Sequence, residues 1–190
     1  VMTRLMACPP TCGAAAAVLV SDAWARRHGR AGGVAIRAQA LATDTPATFD
    51  SRSMMQLVGY DMAKAAASQA YAAAGVGPGD IDVCELHDCF AHNELISYEA
   101  LGFCAEGGAE AFVMSGANTY GGSVVTNPSG GLLSKGHPLG ATGVAQCHEL
   151  VAQLRGAAGA RQVAGARLAL QHNVGLGGAC VVTIYEALTA

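Results

Sequence analysis

Hydrophobic and polar positions along this chain follow two periods, one near two and one near 3.6 residues. Ala14–Ser21 is a short apolar run of the kind a buried strand shows. Trp24–Gly33 is polar and contains glycine, which predicts a short helix and a turn. Val34–Leu41 alternates, with Val34, Ile36, Ala38 and Ala40 on one side and Arg37 and Gln39 on the other, so a strand is expected. Thr43–Ser53, with Pro46, reads as a loop. Asp61 is a suitable N-cap for an alanine-rich helix running to about Ala74, with Gly75 as its stop. Gly77-Pro78-Gly79-Asp80 predicts a turn, Ile81–Leu86 a buried strand ending at His87, and Asn93–Leu101 a helix. Gly102–Gly131 is rich in loop residues and too long for an idle connection. Gly143–Leu154 is amphipathic, and Leu168–Gln171 and Cys180–Tyr185 read as strands joined by a glycine turn. Strands alternating with helices predict an α/β layered domain.

Composition narrows the class. The 190 residues are 52% hydrophobic and 13% charged with 25 glycines, which suits a globular chain packed through small residues. A net charge of -3 gives no basic footprint for nucleic acid or an anionic membrane surface. The longest apolar run, Ala14–Val20, falls short of the roughly 20 residues that span a bilayer. No signal peptide is expected from the opening residues, and a start at Val1 fits a fragment, a processed piece or an alternative start codon. Seven cysteines without a regular framework predict reduced thiols and a cytoplasmic setting.

Three motifs carry candidate chemistry. His87-Asp88-Cys89-Phe90 comes after the strand ending near Leu86, where α/β proteins place their sites. His87 and Cys89 are two apart, so both side chains reach one face if strand geometry persists. A thiol beside an imidazole can exchange protons near neutral pH, and a buried cysteine with a satisfied histidine is the alternative. Cys84, His87, Cys89 and His92 are all zinc-ligand types, but Cys84 would point away from His87 and Cys89, and four ligands within nine residues cannot easily surround one ion, so no metal is assigned. The second motif, Gly136-His137-Pro138-Leu139-Gly140-Ala141-Thr142-Gly143, puts a histidine just before a helix, where free amides suit an oxyanion. The third, Gln171-His172-Asn173-Val174-Gly175-Leu176-Gly177-Gly178, is a poor dinucleotide fingerprint because a strand comes after it. Cys104, Cys147, Cys180 and the methionines at 54, 55 and 62 read as packing residues, and Cys8 and Cys12 as weak metal candidates.

Taken in order, these motifs resemble the thiolase superfamily, most closely the sterol-carrier-protein type of 3-ketoacyl-CoA thiolase. Gly13–Ala17, Val58-Gly59-Tyr60-Asp61, Asn118–Gly122 and Asn127–Gly131 add to the resemblance, which covers nearly the whole chain. It implies the C-terminal half of a thiolase-like layered sandwich, a mixed five-stranded sheet covered by helices. Residues 1–30 would be a remnant of the N-terminal domain and 31–190 the C-terminal domain. It implies an acyl-CoA C-acyltransferase using Claisen condensation or thiolytic cleavage, with coenzyme A as substrate and product and no bound cofactor. Cys89 would be the general acid/base, His87 would hold the thioester oxygen, and His137 would activate the nucleophilic cysteine. The turn around Asn173, Val174 and Gly175 would lend amides to a second oxyanion site. His172 stands where ordinary thiolases carry a second cysteine. No cysteine here matches the nucleophile's motif, so an N-terminal half, in the same or a separate chain, is an implied partner, as is a second copy in a homo-oligomer. Cys12 stands where the family often has aspartate. A retro-aldol lyase of the same fold and a non-catalytic binding or scaffold subunit are the alternatives.

Overall fold

The computed structural model describes residues 2–30, 33–175 and 177–188. In chain order the elements are α1 (Asp22–Arg27), β1 (Gly33–Thr43), α2 (Pro46–Asp50), α3 (Met54–Leu57), α4 (Tyr60–Ala74), β2 (Val83–Glu85), α5 (Ala91–Ala100), α6 (Ala109–Met114), β3 (Val125–Thr126), α7 (Gly131–Lys135), α8 (Thr142–Leu154), β4 (Leu168–Gly175) and β5 (Ala179–Leu188). The strands form one mixed sheet in the order β1-β5-β4-β2-β3. β1, β5 and β4 are antiparallel neighbours, while β2 runs parallel to both β4 and β3.

Each face of the sheet has its own core. Ala63, Ala66, Ala67, Ala70 and Ala74 line one stripe of α4 at helical spacing. Their small side chains let the helix lie close over Cys84, Leu170, Val182 and Ile184. On the other face Leu150 and Leu154 of α8 pack on Val83, Ala169 and Tyr185. Alternate strand residues thus serve alternate cores, as the pleat requires. Gly75 ends α4 in the left-handed conformation at φ 65°, the stop its sequence predicts.

Several expectations are corrected. Ala14–Ser21 is not a buried strand: Val18 and Leu19 are 91% and 73% exposed, because no neighbouring strand offers hydrogen bonds to this run. The alternation over Val34–Leu41 breaks at a bulge between Ile36 and Ala38. Val34 therefore serves the α8 side, while Ala38, Ala40 and Ala42 serve the α4 side. Arg37, at the bulge, donates to the Ala74 carbonyl at the end of α4 (2.8 Å) and pairs with Glu186. The loop over Thr43–Ser53 contains α2, and Gly59, not Asp61, caps α4. Gly102–Gly131 holds α6 and β3, and the Tyr98 hydroxyl, bonded to Glu94, Thr126 and Asn118, anchors it. Met54 and Met55 are exposed and only Met62 of the three is in the core. The boundary after Arg30 falls on Ala31 and Gly32, outside the described residues.

The sheet is covered unequally. α4 spans β1 and β5 on one face, whereas α8 lies mainly over β4 and β2 on the other. Beside α8 the β1–β5 face is left as an open groove of about 1100 Å³, lined by Val34, Ile36, Val181 and Leu188 and by the exposed run Ala16–Val20.

Candidate active site

Strand β2 delivers its chain into the site at Glu85, and the residues from there to Phe90 are pinned on several sides. Glu85 is fully buried, and its carboxylate accepts from the Ser129 amide (3.0 Å), the Ser129 hydroxyl (2.7 Å) and Lys135 Nζ (3.3 Å). Burial pushes its pKa up, with Lys135 and Ser129 opposing. The Leu86 amide donates to Asn127 Oδ1 and its carbonyl accepts from Gln146. The buried Asp88 carboxylate accepts the Leu132 and Leu133 amides (2.7 and 3.3 Å) at the start of α7. Burial raises Asp88 to about 6 against those two donors. Gly131, at φ 60°, sits where any side chain would run into the Asp88 carboxylate. Asn93 Nδ2 donates to the His87 carbonyl at 2.7 Å.

This bracing sets His87 in the interior and leaves Cys89 half-buried. Burial, reinforced by neighbouring His137, lowers His87 to about 4, so its imidazole is neutral at pH 7. Burial likewise lifts Cys89 to about 11, with the Cys8 thiol adding to it, so the sulfur keeps its proton at neutral pH. The thiol is therefore a proton donor and not a standing thiolate.

The second loop brings His137 edge-on to His87, with ring centroids 5.0 Å apart and planes at 85°. His137 Nδ1 lies 2.7 Å from Thr142 Oγ1, and the Thr142 hydroxyl donates to the Pro138 carbonyl at 3.1 Å. The Pro138 carbonyl also accepts the Ala141 and Thr142 amides (3.0 and 3.1 Å), so the Thr142 hydroxyl can serve either that carbonyl or His137 Nδ1. Thr142 thus holds the His137 ring through Nδ1. Burial lowers this imidazole's pKa as well. The loop is held by residues from the start of the chain: the His137 amide donates to the Pro9 carbonyl (3.2 Å), and Pro10 bridges His137.

The third motif is placed differently from its expected turn. His172, Asn173, Val174 and Gly175 continue β4 and pair with Val182, Val181, Cys180 and Ala179 of β5. Pairing with β5 carries the strand on through Gly175 despite the polar run Gln171-His172-Asn173; Leu176 lies outside the described residues. The Asn173 side chain is occupied, donating to Gln146 and accepting from Gln171, which in turn accepts from Tyr185. His172 is fully buried and its pKa falls to about 3 through burial and the proximity of His87. The His87 amide points at its Nδ1 from 3.5 Å, and His172 Nε2 and His87 Nδ1 have no partner among the described residues. His87 and His137 thus come together with His172 behind them, and Cys89, two residues on from His87, is tied to Cys8, whose neighbour Pro9 holds the His137 loop.

Four features escape the sequence reading: Thr142, Asp88 as the cap of α7, the Gln146–Asn173–Gln171 chain, and Cys8 against Cys89. Thr142, one helical turn after Pro138, is the one with a local signal. Cys84 packs in the α4 core, away from the site, and no group of three metal-ligating side chains lies together among the described residues.

Comparison with known proteins bears on this arrangement. A family model described as Thiolase C-terminal domain-like matches residues 44–186. The chain belongs to the thiolase C-terminal domain family. It is 59% identical over 186 residues to sterol carrier protein 2 of Rattus norvegicus, covering 97% of this chain and 34% of that protein. It is 52% identical to non-specific lipid-transfer protein-like 2 of Caenorhabditis elegans (96% and 45% coverage). It is 44% identical to an acetyl-CoA acetyltransferase of Methanothermobacter thermautotrophicus (96% and 47%). The chain therefore spans about a third to a half of these curated relatives. A solved Ltp2-ChsH2(DUF35) aldolase matches with a TM-score of 0.70 and 27% identity, over 81% of this chain and 39% of that one. The mixed five-stranded sheet with flanking helices is that of a thiolase-like α/β fold. No described helix is long and apolar enough to cross a membrane.

The domain presents three protonatable side chains, all neutral near pH 7: His137, Cys89, and the His87 imidazole between two other imidazoles. A lone-pair nitrogen can take a proton from an incoming thiol. A protonated thiol can give one to a carbanion.

Proposed function

We propose that this chain is the acid/base and oxyanion part of an acyl-CoA C-acyltransferase of the 3-ketoacyl-CoA thiolase type, completed by an N-terminal half that carries the nucleophilic cysteine. The observation that carries the reading is the pairing of His137 with His87, ring centroids 5.0 Å apart, with His137 Nδ1 tied to Thr142 so that Nε2 is left to act as the base. The relatives' names support it in kind, since one is an acetyl-CoA acetyltransferase.

In the cleavage direction His137 Nε2 takes the proton of the nucleophilic thiol, which attacks the 3-keto carbon. The bond between that carbon and the α-carbon breaks, and the acetyl-CoA carbanion takes the Cys89 proton. Coenzyme A then gives its proton to the Cys89 thiolate and its sulfur attacks the acyl-cysteine; the nucleophilic cysteine leaves as a thiolate, takes back the proton held on His137, and the shortened acyl-CoA departs. The neutral His87 imidazole donates to the thioester oxygen while it carries charge. Amides at the end of β4, around Asn173, Val174 and Gly175, serve the second oxyanion. The N-terminal half packs on the open β1–β5 groove and takes up Ala14–Val20 as a strand, and the assembled enzyme is a homo-oligomer.

The test is thiolysis, tracked by loss of the substrate's enolate absorbance, with this chain alone and with an N-terminal thiolase half. Activity in the mixture alone, abolished by Cys89→Ala and by His137→Ala, is expected. Full activity of the chain by itself overturns the reading. The solved aldolase favours a second reading, retro-aldol cleavage of an acyl-CoA side chain. A complex that forms, releases an aldehyde or ketone from a 3-hydroxyacyl-CoA and shows no thiolysis selects it. A complex inactive in both assays points to a scaffold subunit.

A further inference from the structure

The segment that crosses the site from the start of the chain brings a second thiol to Cys89. Ala7 and Phe90 form an antiparallel bridge, and the Cys8 amide donates to the Cys89 carbonyl at 2.9 Å. That bond sets Cys8 against Cys89 across the bend at Cys89, close enough for the Cys8 thiol to act on the Cys89 thiol. Residues joined by one such backbone bond have Cα atoms about 5–6 Å apart, within the roughly 4.4–6.8 Å that a disulfide spans. Both cysteines are half-buried and free. The other cysteines are differently placed: Cys84 and Cys180 lie inside the α4 core, Cys104 and Cys147 pack against the cores, and Cys12 is exposed beyond the Pro10–His137 bridge.

We propose that Cys8 and Cys89 form a reversible oxidation site at which a peroxide joins the two sulfurs and withdraws Cys89 from proton transfer. Cys8 is the less enclosed of the two and meets the oxidant first. Its thiolate attacks one peroxide oxygen, the O–O bond breaks, and the departing hydroxide takes up a proton as water, leaving a sulfenic acid. The Cys89 thiolate attacks that sulfur, the S–O bond breaks and a second water leaves. Two thiols lose two electrons and two protons, and one peroxide becomes two waters. A dithiol reductant reverses the link by exchange. Burial holds both thiols above their ordinary range, so the pair oxidises under sustained peroxide and not in a brief pulse.

Only the effect on activity rests on the acid/base reading of Cys89; the link itself does not. The test is to treat the 190-residue chain with hydrogen peroxide, alkylate the remaining thiols and map a digest made without reductant by mass spectrometry. The free-thiol count is expected to fall from seven to five, with a peptide linking Cys8 to Cys89 that dithiothreitol removes. Cys8→Ser abolishes that peptide and Cys12→Ser leaves it in place. Recovery of Cys8 and Cys89 both alkylated under peroxide that oxidises Cys12, or a link from Cys89 to another cysteine, overturns the proposal. In the reconstituted enzyme the link should stop thiolysis until reductant is added. A link that forms without affecting thiolysis leaves the oxidation site standing and removes Cys89 from catalysis.

Discussion

The end of the sheet that bears the site and the first thirty residues of the chain are built on opposite terms. Around Glu85–Phe90 nearly every polar group has a partner drawn from a distant part of the sequence: Ser129, Lys135, Asn127, Gln146, Leu132. Over Ala14–Val20 the side chains are apolar, yet Val18, Leu19 and Val20 are exposed, and the run belongs to no strand. Apolar character alone therefore does not make a strand; the edge that would pair with it must be present. The site end is self-sufficient, because its bonds close within the domain. The early segment is bound at few points, chiefly Cys8 to Cys89 and Pro9 and Pro10 to His137, and those lie at the site itself. The open β1–β5 groove and the few anchors of the early segment thus meet at one side of the site.

The contrast is broken most severely at Gly131. Gly131→Ala drives a methyl into the Asp88 carboxylate at a positive φ and detaches α7 from the site loop. A loss of about 3–4 kcal/mol is expected in denaturant unfolding, with no activity on reconstitution.

Acid should weaken the same end. His87 and His172 titrate near 4 and 3 in the fold, below the ordinary value, so between those values and about 6.5 the unfolded chain binds more protons. Their contribution is present above about pH 6.5 and is lost as pH falls through this window. Asp88, raised to about 6, acts in the opposite sense: the folded state holds its proton more tightly between about 4 and 6, which offsets part of the loss. From pH 7 to pH 5 a net fall on the order of 2 kcal/mol is expected in unfolding free energy. A flat profile would mean that one of these imidazoles is solvated. In the reconstituted enzyme the acid limb of kcat/KM should lie below the usual imidazole range, because His137 is also lowered.

Thr142→Val separates the chemistry from the scaffold. It removes the hydroxyl that holds His137 Nδ1 and costs about 1 kcal/mol of stability. Reconstituted kcat should fall by roughly tenfold or more, and Thr142→Ser should recover it. The smallest effect on the isolated chain is expected in the early segment. Leu19→Glu should change unfolding by no more than about 0.5 kcal/mol, since the side chain is already in solvent. The same change should block association with the N-terminal half, seen as loss of co-elution. If Leu19→Glu instead destabilises the chain alone by several kcal/mol, the segment packs on the domain by itself.

Local signals carried much of this molecule. Alanines at helical spacing and Gly75 located α4; His87 and Cys89 stood out because they follow the end of a strand, and His137 because it sits in a glycine-marked loop before a helix. The features that stayed hidden depend on contacts between distant positions. Nothing near Cys8 points to residue 89, and nothing near Gly131 points to Asp88. The bulge at Arg37 turned a clean alternation onto both faces of the sheet, because register is set by the pairing with β5. His172–Gly175 read as part of a turn because the glycines just after them drew the boundary too early.

The central claim is that Cys89 moves the α-carbon proton, and exchange measures this without the rest of the cycle. Chain and N-terminal half would be combined in deuterium oxide with acetyl-CoA, and deuterium at the α-carbon measured by mass spectrometry. Exchange by the combined enzyme is expected, falling roughly 10²–10⁴-fold with Cys89→Ala while acylation of the nucleophilic cysteine persists. Exchange that continues undiminished in Cys89→Ala would contradict the account.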